Sequence, residues 1–455
     1  MNSVRPGTSS GISRRRFLAA AAAAPLAISS TLMAARRPAL ERISVGVIGL
    51  GSRGFNLLDD FLKLGSCQVV ALCDVDDFHH RDRPWGKSPA FGRKPGLAKV
   101  TQAYSKQKSG TAARGIAVHS DFRQLIARDD IDAVVIATPD HWHAACTLEA
   151  VRAGKDVYCE KPVTHLFAEG RQVIREVAKH QTVFQTGSQQ RSDPIFHRIV
   201  ELARNGVLGQ IQSVEIGLPE GYDKPMGSTE IVQPRTDLDY DFWCGPAPVL
   251  PLMQARHHRW WRGHRAYGGG VLMDWIGHHN DIAHWALGME RSGPISVEAV
   301  DWTFPDTEVY NTPHHYTIRC RFANDVLTSI SSRHLQGLKV IGSEGWVHAD
   351  RGGLKASDQR WLAPEFRPGD FHIEAPSSHA ADFLANVVSR GECIAPAEVA
   401  HRSITPGHLA YVSWQLKKPL EWNPETQQII NNPEADSLLN QVDYREPWQL
   451  VRTGR

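Results

Sequence analysis

A glycine-rich turn between two apolar segments constrains the fold of this chain more than any other feature. Ile43–Ile48 is apolar and rich in β-branched residues, which predicts a buried strand. The spacing Gly-x-Gly-x-x-Gly follows, then an amphipathic segment, then a second predicted strand at 67–74. This order predicts a dinucleotide-binding βαβ unit, in which glycines let the backbone approach a pyrophosphate at a helix N-terminus. The residues assigned to cofactor binding in this turn are Gly49, Gly51, Ser52, Arg53 and Gly54.

Asp74 indicates which dinucleotide the unit prefers. It ends the second predicted strand, twenty residues after Gly54. A carboxylate at this place accepts hydrogen bonds from the adenosine ribose and repels a 2′-phosphate, so we expect NAD, with NADP as the less favoured cofactor. A basic stretch follows, which we interpret as a solvated surface insertion; its cations are Arg81, Arg83, Lys87, Arg93 and Lys94.

Strands and helices alternate up to residue 187. The sequence predicts strands at 133–137 and at 156–159, a helix at 142–153 between them, and a last strand at 183–191. Such alternation indicates a doubly wound parallel sheet, and we assign a Rossmann domain to residues 36–187. Residues 138–143 lie at a strand's carboxyl end, where these folds bind ligands. We interpret His141 and His143 as helix-start residues beside the cofactor and not as metal ligands, because no cluster of Cys or carboxylates accompanies them.

The apolar pattern changes to a period of two after residue 188. Segments with this period, typical of an antiparallel or mixed sheet, lie at 211–217, 295–304, 314–322, 326–334, 337–350 and 353–357. Two helices are predicted near 378–390 and 400–416. The fold class is therefore α/β, with an N-terminal Rossmann domain and a C-terminal α/β domain, residues 188–455, built on a large, open, mostly antiparallel sheet. The aromatic and basic segment 219–270 suits either a sugar ring or an oligomer contact.

Residues 1–35 do not read as part of the fold. The run Ser13-Arg14-Arg15-Arg16-Phe17-Leu18 precedes an Ala-rich apolar stretch and resembles a twin-arginine export signal. We therefore expect a periplasmic or secreted protein with no membrane span in its mature form, the alternative being an uncleaved N-terminal anchor. The formal net charge of +2 gives no case for nucleic acid binding, and seven cysteines without a CxxC pair argue against a structural zinc site.

The segment "DWIGHHNDIAHW", residues 274–285, concentrates histidines and aspartates. On a helix, Asp274, His278 and Asp281 share one face because they lie four and three residues apart. His279 and His284 point elsewhere. This spacing alone leaves an acid–base centre, a metal site and a structural helix open.

Several motifs together resemble the family named for glucose–fructose oxidoreductase, inositol dehydrogenase and MocA. Thr138-Pro139 with His143 is similar to its TPxxxH segment, and Glu160-Lys161-Pro162 to its EKP segment. Gly269-Gly270 with Asp274 and His278 is similar to its GG…DxxxH segment, with Asp281 as the later acid. The resemblance implies hydride transfer between a sugar or polyol CH–OH and a nicotinamide, and an open sheet used for homo-oligomer contacts. It also implies that Thr138, Pro139, His143, Glu160 and Lys161 contact the cofactor.

Under this resemblance, His278 is the base that takes the hydroxyl proton and Lys161 stabilises the alkoxide. Asp274 orients the imidazole or the substrate and favours the protonated ring for the reverse reaction. We expect a carbohydrate or glycoside substrate, tightly bound NAD and no metal. The alternative activity is that of an NAD-dependent glycoside hydrolase, in which a transient keto-sugar undergoes elimination. No role is assigned to His141, His257, His258, His279 and His284.

Overall fold

The protein's structure, a computed structural model, describes residues 42–80, 89–106 and 115–449. The twin-arginine segment, predicted at residues 1–35, lies outside the described residues, as do Arg81, Arg83 and Lys87 of the basic stretch. In the described part of the chain, no helix combines the length and the apolar run that crossing a bilayer requires.

The N-terminal part alternates strands with helices, as predicted. Its strands are β1 Ile43–Ile48, β2 Cys67–Cys73, β3 His79–His80, β4 Ala90–Phe91, β5 Ala117–His119, β6 Ala133–Ile136, β7 Asp156–Cys159 and β8 Phe184–Thr186. Its helices are α1 Ser52–Leu62, α2 Arg93–Lys106, α3 Phe122–Ile126, α4 Asp140–Arg152 and α5 Phe167–His180.

Six of these strands form one parallel sheet in the order β5-β2-β1-β6-β7-β8. The chain proceeds outward in both directions from β1, so the sheet is doubly wound and the strand order reverses between β1 and β6. A ligand cleft is expected outside the carboxyl ends of these two strands. Strands β1, β2, β6, β7 and β8 are buried along nearly their whole length, as their continuous apolar sequences require, whereas the edge strand β5 is not.

The C-terminal part is built on a nine-stranded mixed sheet. Its strands are β9 Ile211–Gly217, β10 Ser296–Thr303, β11 His315–Arg321, β12 Leu327–Ser331, β13 Gly337–Gly342, β14 Gly345–Asp350, β15 Gly353–Ala356, β16 Leu420–Asn423 and β17 Gln428–Ile429. Its helices are α6 Pro194–Arg204, α7 Tyr240–Cys244, α8 Gly270–Leu287, α9 His379–Ser389, α10 Ala397–Leu416 and α11 Pro433–Leu439.

The order of this sheet is β15-β14-β13-β9-β12-β11-β10-β16-β17. The β9–β12 pair is parallel and the other described pairs are antiparallel, which confirms the mostly antiparallel sheet. Helix α8 packs on β9 and β13, while α10 packs on β10 and also contacts α5. One cluster of buried apolar side chains runs from the parallel sheet into these helices, so both sheets support α8.

Two predictions about local structure were wrong. The last strand of the parallel sheet has only three residues, and a short 3-10 helix at Gln189–Ser192 follows it. The chain turns there because Gly187 packs against Glu160, where a Cβ would lie 2.4 Å from a carboxylate oxygen. Arg93 and Lys94 are not in a loop: they begin α2 and pair with Asp77. The division of the chain at residue 187 stays a prediction.

Candidate active site

The glycine-rich turn has the geometry that a dinucleotide requires. Gly49 has φ +90°, and a Cβ there would lie 2.6 Å from the Ala137 carbonyl. A Cβ on Gly54 would lie 2.0 Å from the Gly49 oxygen, so packing within the protein excludes side chains at both positions. A Cβ on Gly51 would meet no protein atom within 4 Å, and no side chain caps α1. The open space therefore lies where the helix N-terminus, with Ser52 and Arg53 in its first turn, would bind a phosphate.

Asp74 lies at the edge of the same space, as predicted, and its carboxylate is held by the backbone. One oxygen accepts the Leu50 N–H at 2.6 Å and the other accepts the Asp76 N–H at 2.9 Å. Burial raises the pKa of Asp74 to about 6, with the two N–H bonds acting in the opposite direction. The carboxylate is thus fixed in direction before any ribose binds.

Arg53 and Glu160, both assigned to the cofactor, contact each other. Arg53 Nε donates to Glu160 Oε1 at 2.7 Å, and Gln189 donates to the same oxygen at 3.0 Å. The Glu160 side chain is 5% exposed. Glu160 therefore joins α1 to the carboxyl end of β7 and leaves the turn backbone free to contact a ligand.

His143 joins the two motifs that the sequence analysis placed beside the cofactor. Its Nδ1 lies 2.7 Å from the Pro162 carbonyl and its Nε2 lies 3.0 Å from the Thr138 carbonyl. Burial lowers the pKa of His143, while both carbonyls act in the opposite direction. The ring thereby holds the Thr138-Pro139 turn at a fixed distance from Lys161-Pro162. Thr138, Pro139, His143 and Lys161 all line the same cavity.

Lys161 and Asp274 form the charged centre of the site. Lys161 Nζ donates to the Asp274 carboxylate at 2.6 Å and to the Asp274 carbonyl at 2.8 Å. Arg262 Nε lies 3.1 Å from the same carboxylate oxygen. Burial alone would raise the pKa of Asp274, but Arg262 and Lys161 outweigh it and hold that pKa well below its usual range. One permanent anion thus positions two cations.

His278 lies one turn further along α8, as the spacing predicted. Its Nδ1 is buried without a hydrogen-bond partner in the described part of the chain. Burial, followed by the charges of Lys161 and Arg351, lowers the pKa of His278 well below its usual value. Asp274 acts in the opposite direction, as expected, but burial and the two cations outweigh it. The ring is neutral at neutral pH, which is the form that accepts a proton.

Asp281 does not reach the cavity, although it shares a helix face with Asp274. Its carboxylate forms a two-point ion pair with Arg191, at 2.6 Å and 2.9 Å. Both side chains are at most 3% exposed. Along this face of α8, Asp274 and His278 line the cavity, whereas Asp281, two turns after Asp274, supports the fold.

Most of the unassigned histidines serve packing. His141 Nε2 lies 2.9 Å from the Trp243 carbonyl, and the His279 ring stacks on Trp275 with centroids 5.6 Å apart. His284 is buried beside Asn280. His257 and His258 lie together in the segment 219–270, which contributes a small aromatic core of its own and one wall of the cavity.

A single cavity of about 660 Å³ extends from Asp74 to His278. Its lining includes side chains that the sequence analysis had not assigned: Asp140, Glu220, Tyr222, Arg262 and Arg351. The basic and aromatic composition of 219–270 was a signal for Arg262 and Tyr222. No signal marked Arg351, which follows β14 and lies over the Trp275 ring at 4.8 Å.

Asp140 is the most unusual of these residues. It begins α4, is 2% exposed, and its Oδ2 has no hydrogen-bond partner among the described residues. Burial raises the pKa of Asp140 to about 7; Arg262 acts against this rise and Asp274 adds to it. The site therefore holds one carboxylate that is always charged and one that titrates near neutrality.

Family comparisons agree with this geometry. A profile described as "Oxidoreductase family, NAD-binding Rossmann fold" matches residues 43–188, and "Oxidoreductase family, C-terminal alpha/beta domain" matches residues 195–450. The chain belongs to this Gfo/Idh/MocA oxidoreductase family. Membership confirms the enzyme class and the nicotinamide-dinucleotide-binding fold that the motifs implied. The glycine turn and Asp74 fit such a cofactor by their own geometry.

Individual relatives cover only part of the chain. It is 30% identical over 145 residues to "Glycosyl hydrolase family 109 protein 2" of Shewanella sp. strain ANA-3, which is 32% of this chain and 28% of that protein. It is 38% identical over 169 residues to "Uncharacterized oxidoreductase YrbE" of Bacillus subtilis strain 168, or 37% and 42% of the two chains. The chain thus spans less than half the length of these curated relatives.

A solved structure matches over most of the chain. The WlbA dehydrogenase from Bordetella pertussis, crystallised with NADH and UDP-GlcNAcA, superimposes with a TM-score of 0.57. Identity is 18%, and the match covers 83% of this chain and 98% of that chain. At this identity the likeness concerns the fold.

Proposed function

We propose that this oxidoreductase transfers a hydride between a sugar or polyol CH–OH and a tightly bound NAD. The observation that carries the proposal is one continuous cavity with a dinucleotide turn at one end and Lys161 beside a neutral histidine at the other. The relatives' names, which include a dehydrogenase crystallised with a nucleotide sugar and a glycosyl hydrolase, support a carbohydrate substrate.

The roles of the residues follow from their protonation states. His278 is neutral and accepts the hydroxyl proton as hydride leaves the carbon. Lys161 donates to the developing alkoxide, and Asp274 holds its ammonium group in place. Bound NAD supplies the hydride acceptor, and in the reverse direction the hydride donor. Arg262 shares the Asp274 carboxylate, so it positions Lys161.

NAD is preferred over NADP because of Asp74. Both carboxylate oxygens already accept backbone N–H groups, so the carboxylate cannot swing away from an incoming 2′-phosphate. Contact between this carboxylate and a 2′-phosphate would be costly, because two like charges would lose their hydration. A ribose hydroxyl, by contrast, can donate to a remaining lone pair.

Two substitutions test the assignment of the chemistry. Lys161→Ala and His278→Ala should each lower kcat by about a hundredfold or more, the scale expected of positioned acid–base groups. His279→Gln is the matched control, because it lies next to His278 on α8, stacks on Trp275 and does not line the cavity. Turnover by either alanine variant within about threefold of the control would remove that residue from the mechanism.

The second candidate is a redox-neutral glycoside hydrolase, and the relatives of glycosyl hydrolase family 109 favour it. In this cycle the sugar is oxidised, the aglycone is eliminated, water adds and the hydride returns. Incubation with a panel of glycosides and no added cofactor separates the two activities. Free aglycone with no net redox change supports the hydrolase, and a keto-sugar formed only with an external acceptor supports the dehydrogenase.

We further propose export of the folded protein by the twin-arginine route with NAD retained, on the motif at residues 13–18. Retention for hours means an off-rate of about 10⁻⁴ s⁻¹ and, at an on-rate of about 10⁶ M⁻¹s⁻¹, a Kd on the order of 10⁻¹⁰ M. Protein purified without added cofactor and then denatured should release stoichiometric NAD. Empty protein that works only with millimolar NAD would contradict retention.

A homo-oligomer is proposed through the nine-stranded sheet, whose outward residues alternate with buried ones along β11. Light scattering after gel filtration should give a mass that is a multiple of the chain mass. A monomer at micromolar concentration would contradict it.

A further inference from the structure

Three potential metal ligands from distant parts of the chain meet beside the cavity. Asp76 and His79 lie after β2, and His258 lies in the segment 219–270. Asp76 Oδ2 is 3.3 Å from His258 Nε2 and 3.7 Å from His79 Nδ1. All three atoms lie within 4.8 Å of one another. The three residues lie far apart in the sequence and form no metal-binding motif, so no metal was expected.

None of the three atoms has a hydrogen-bond partner in the described part of the chain. The side chains of Asp76, His79 and His258 are only 1%, 4% and 10% exposed. The 3.3 Å approach between Asp76 and His258 lacks the direction of a hydrogen bond. Buried polar atoms are nearly always satisfied, and three unsatisfied ones facing each other indicate a missing common partner.

We propose that Asp76, His79 and His258 bind a divalent zinc-like ion. Bonds of about 2.0–2.2 Å to tetrahedral zinc place neighbouring ligand atoms roughly 3.3–3.5 Å apart, which is near the observed separations. Two imidazoles and one carboxylate are a donor set that zinc prefers, and a fourth position remains for water.

Contacts around Asp76 prepare it for this role. Its other oxygen accepts Arg235 Nη2 at 2.8 Å and the Phe78 N–H at 3.1 Å. Asp76 would therefore bind the ion through Oδ2 alone. Such outer contacts orient ligands in known metal sites. The rings of His79 and His258 stack face to face, 3.6 Å apart at 12°, so shared coordination requires one ring to tilt until both nitrogen lone pairs meet at the ion.

The position of the cluster suggests what the ion does. His79 and His258 both line the cavity, and Asp76 is two residues from Asp74. The ion would join the segment that carries the ribose-binding carboxylate to the segment that carries Arg262. We therefore assign it a structural role in closing the cofactor end of the cavity, separate from the acid–base chemistry at His278.

Metal content tests the proposal on the full chain. Protein expressed with zinc, purified without chelator and dialysed should contain stoichiometric zinc by mass spectrometry of the elements. His79→Ala and His258→Ala should weaken zinc binding by about a hundredfold or more, judged by competition with a chromogenic chelator. His80→Ala is the matched control, because it lies next to His79 in the same short strand and is not one of the three ligands.

A measurement on the native chain covers the case in which the variants do not fold. After removal of metal with EDTA, added zinc should raise Tm, and the rise should grow with free zinc concentration. Added magnesium should not. The proposal is overturned if the zinc-grown native protein contains no stoichiometric zinc and its Tm does not respond. It is also overturned if folded His79→Ala and His258→Ala bind zinc as tightly as His80→Ala.

Discussion

Replacement of Asp281 by asparagine should lower the free energy of unfolding and leave kcat nearly unchanged. In the native protein, Arg191 donates two hydrogen bonds to this carboxylate, and its cation also lies 4.6 Å from the Trp285 ring centroid. Asp281→Asn removes the negative charge and leaves the guanidinium buried. Breaking a pair this deeply buried costs about 3–5 kcal/mol in the free energy of unfolding.

Scanning calorimetry measures the effect. With an unfolding entropy of about 2.1 cal/mol/K per residue, a loss of this size lowers Tm by roughly 3–5 °C in a chain of this length. The double variant Arg191→Met with Asp281→Leu should recover most of the loss, because apolar side chains of similar volume remove both charges together. The kcat of folded Asp281→Asn should stay within about threefold of the native value.

The opposite pattern would refute this reasoning. If Asp281→Asn kept its Tm and lost about a hundredfold in kcat, the carboxylate would belong to the chemistry and not to the support of the fold. If the double variant were as unstable as the single one, an uncompensated charge would not be the cause of the loss.

Three further substitutions address the cavity. Asp74→Ala should weaken NAD binding and narrow its advantage over NADP in calorimetric titrations, and a native preference for NADP would contradict the assignment. In the cofactor-free protein, the stability that neutral Asp140 contributes is present below about pH 4 and lost as pH rises through about 7. The Tm of Asp140→Asn should therefore rise relative to that of the native chain between pH 5 and 8. A difference in Tm that does not change with pH would contradict this. Arg262→Gln removes the strongest charge that lowers the pKa of Asp274, so the acid limb of kcat/KM should move to higher pH, whereas Arg262→Lys should leave it in place.

Local patterns in the sequence predicted most of the framework. The strands β1, β7 and β9 begin and end where they were predicted, and β2 ends one residue earlier. The order of apolar and polar side chains predicts whether one or both faces of a strand are buried, and the helical spacing of its residues predicts α8. The glycine turn was predictable because a φ of +90° at Gly49 requires glycine.

The site was predictable only where a motif marked it. The family's motifs predicted Lys161, Asp274 and His278, which the structure brings to one cavity, but not the cations beside them. Arg262 comes from a long loop and Arg351 from a hairpin turn. Contacts between residues so far apart in the chain produce no periodic pattern in the sequence. The ion pair of Asp281 with Arg191 was not predicted, because a helical spacing shows which face a residue occupies and not which neighbour it meets.

Arg351 lies in the turn of the β14–β15 hairpin, so this hairpin contributes to the cavity as well as to the sheet. β15 is the terminal strand of the nine, so its length and turn can change without disturbing the pairing of any other strand. The turn nevertheless brings a cation to the rim of the cavity near His278. A change confined to this peripheral hairpin would therefore alter the charge at the rim of the cavity, while the dinucleotide turn and helix α8 stay unchanged.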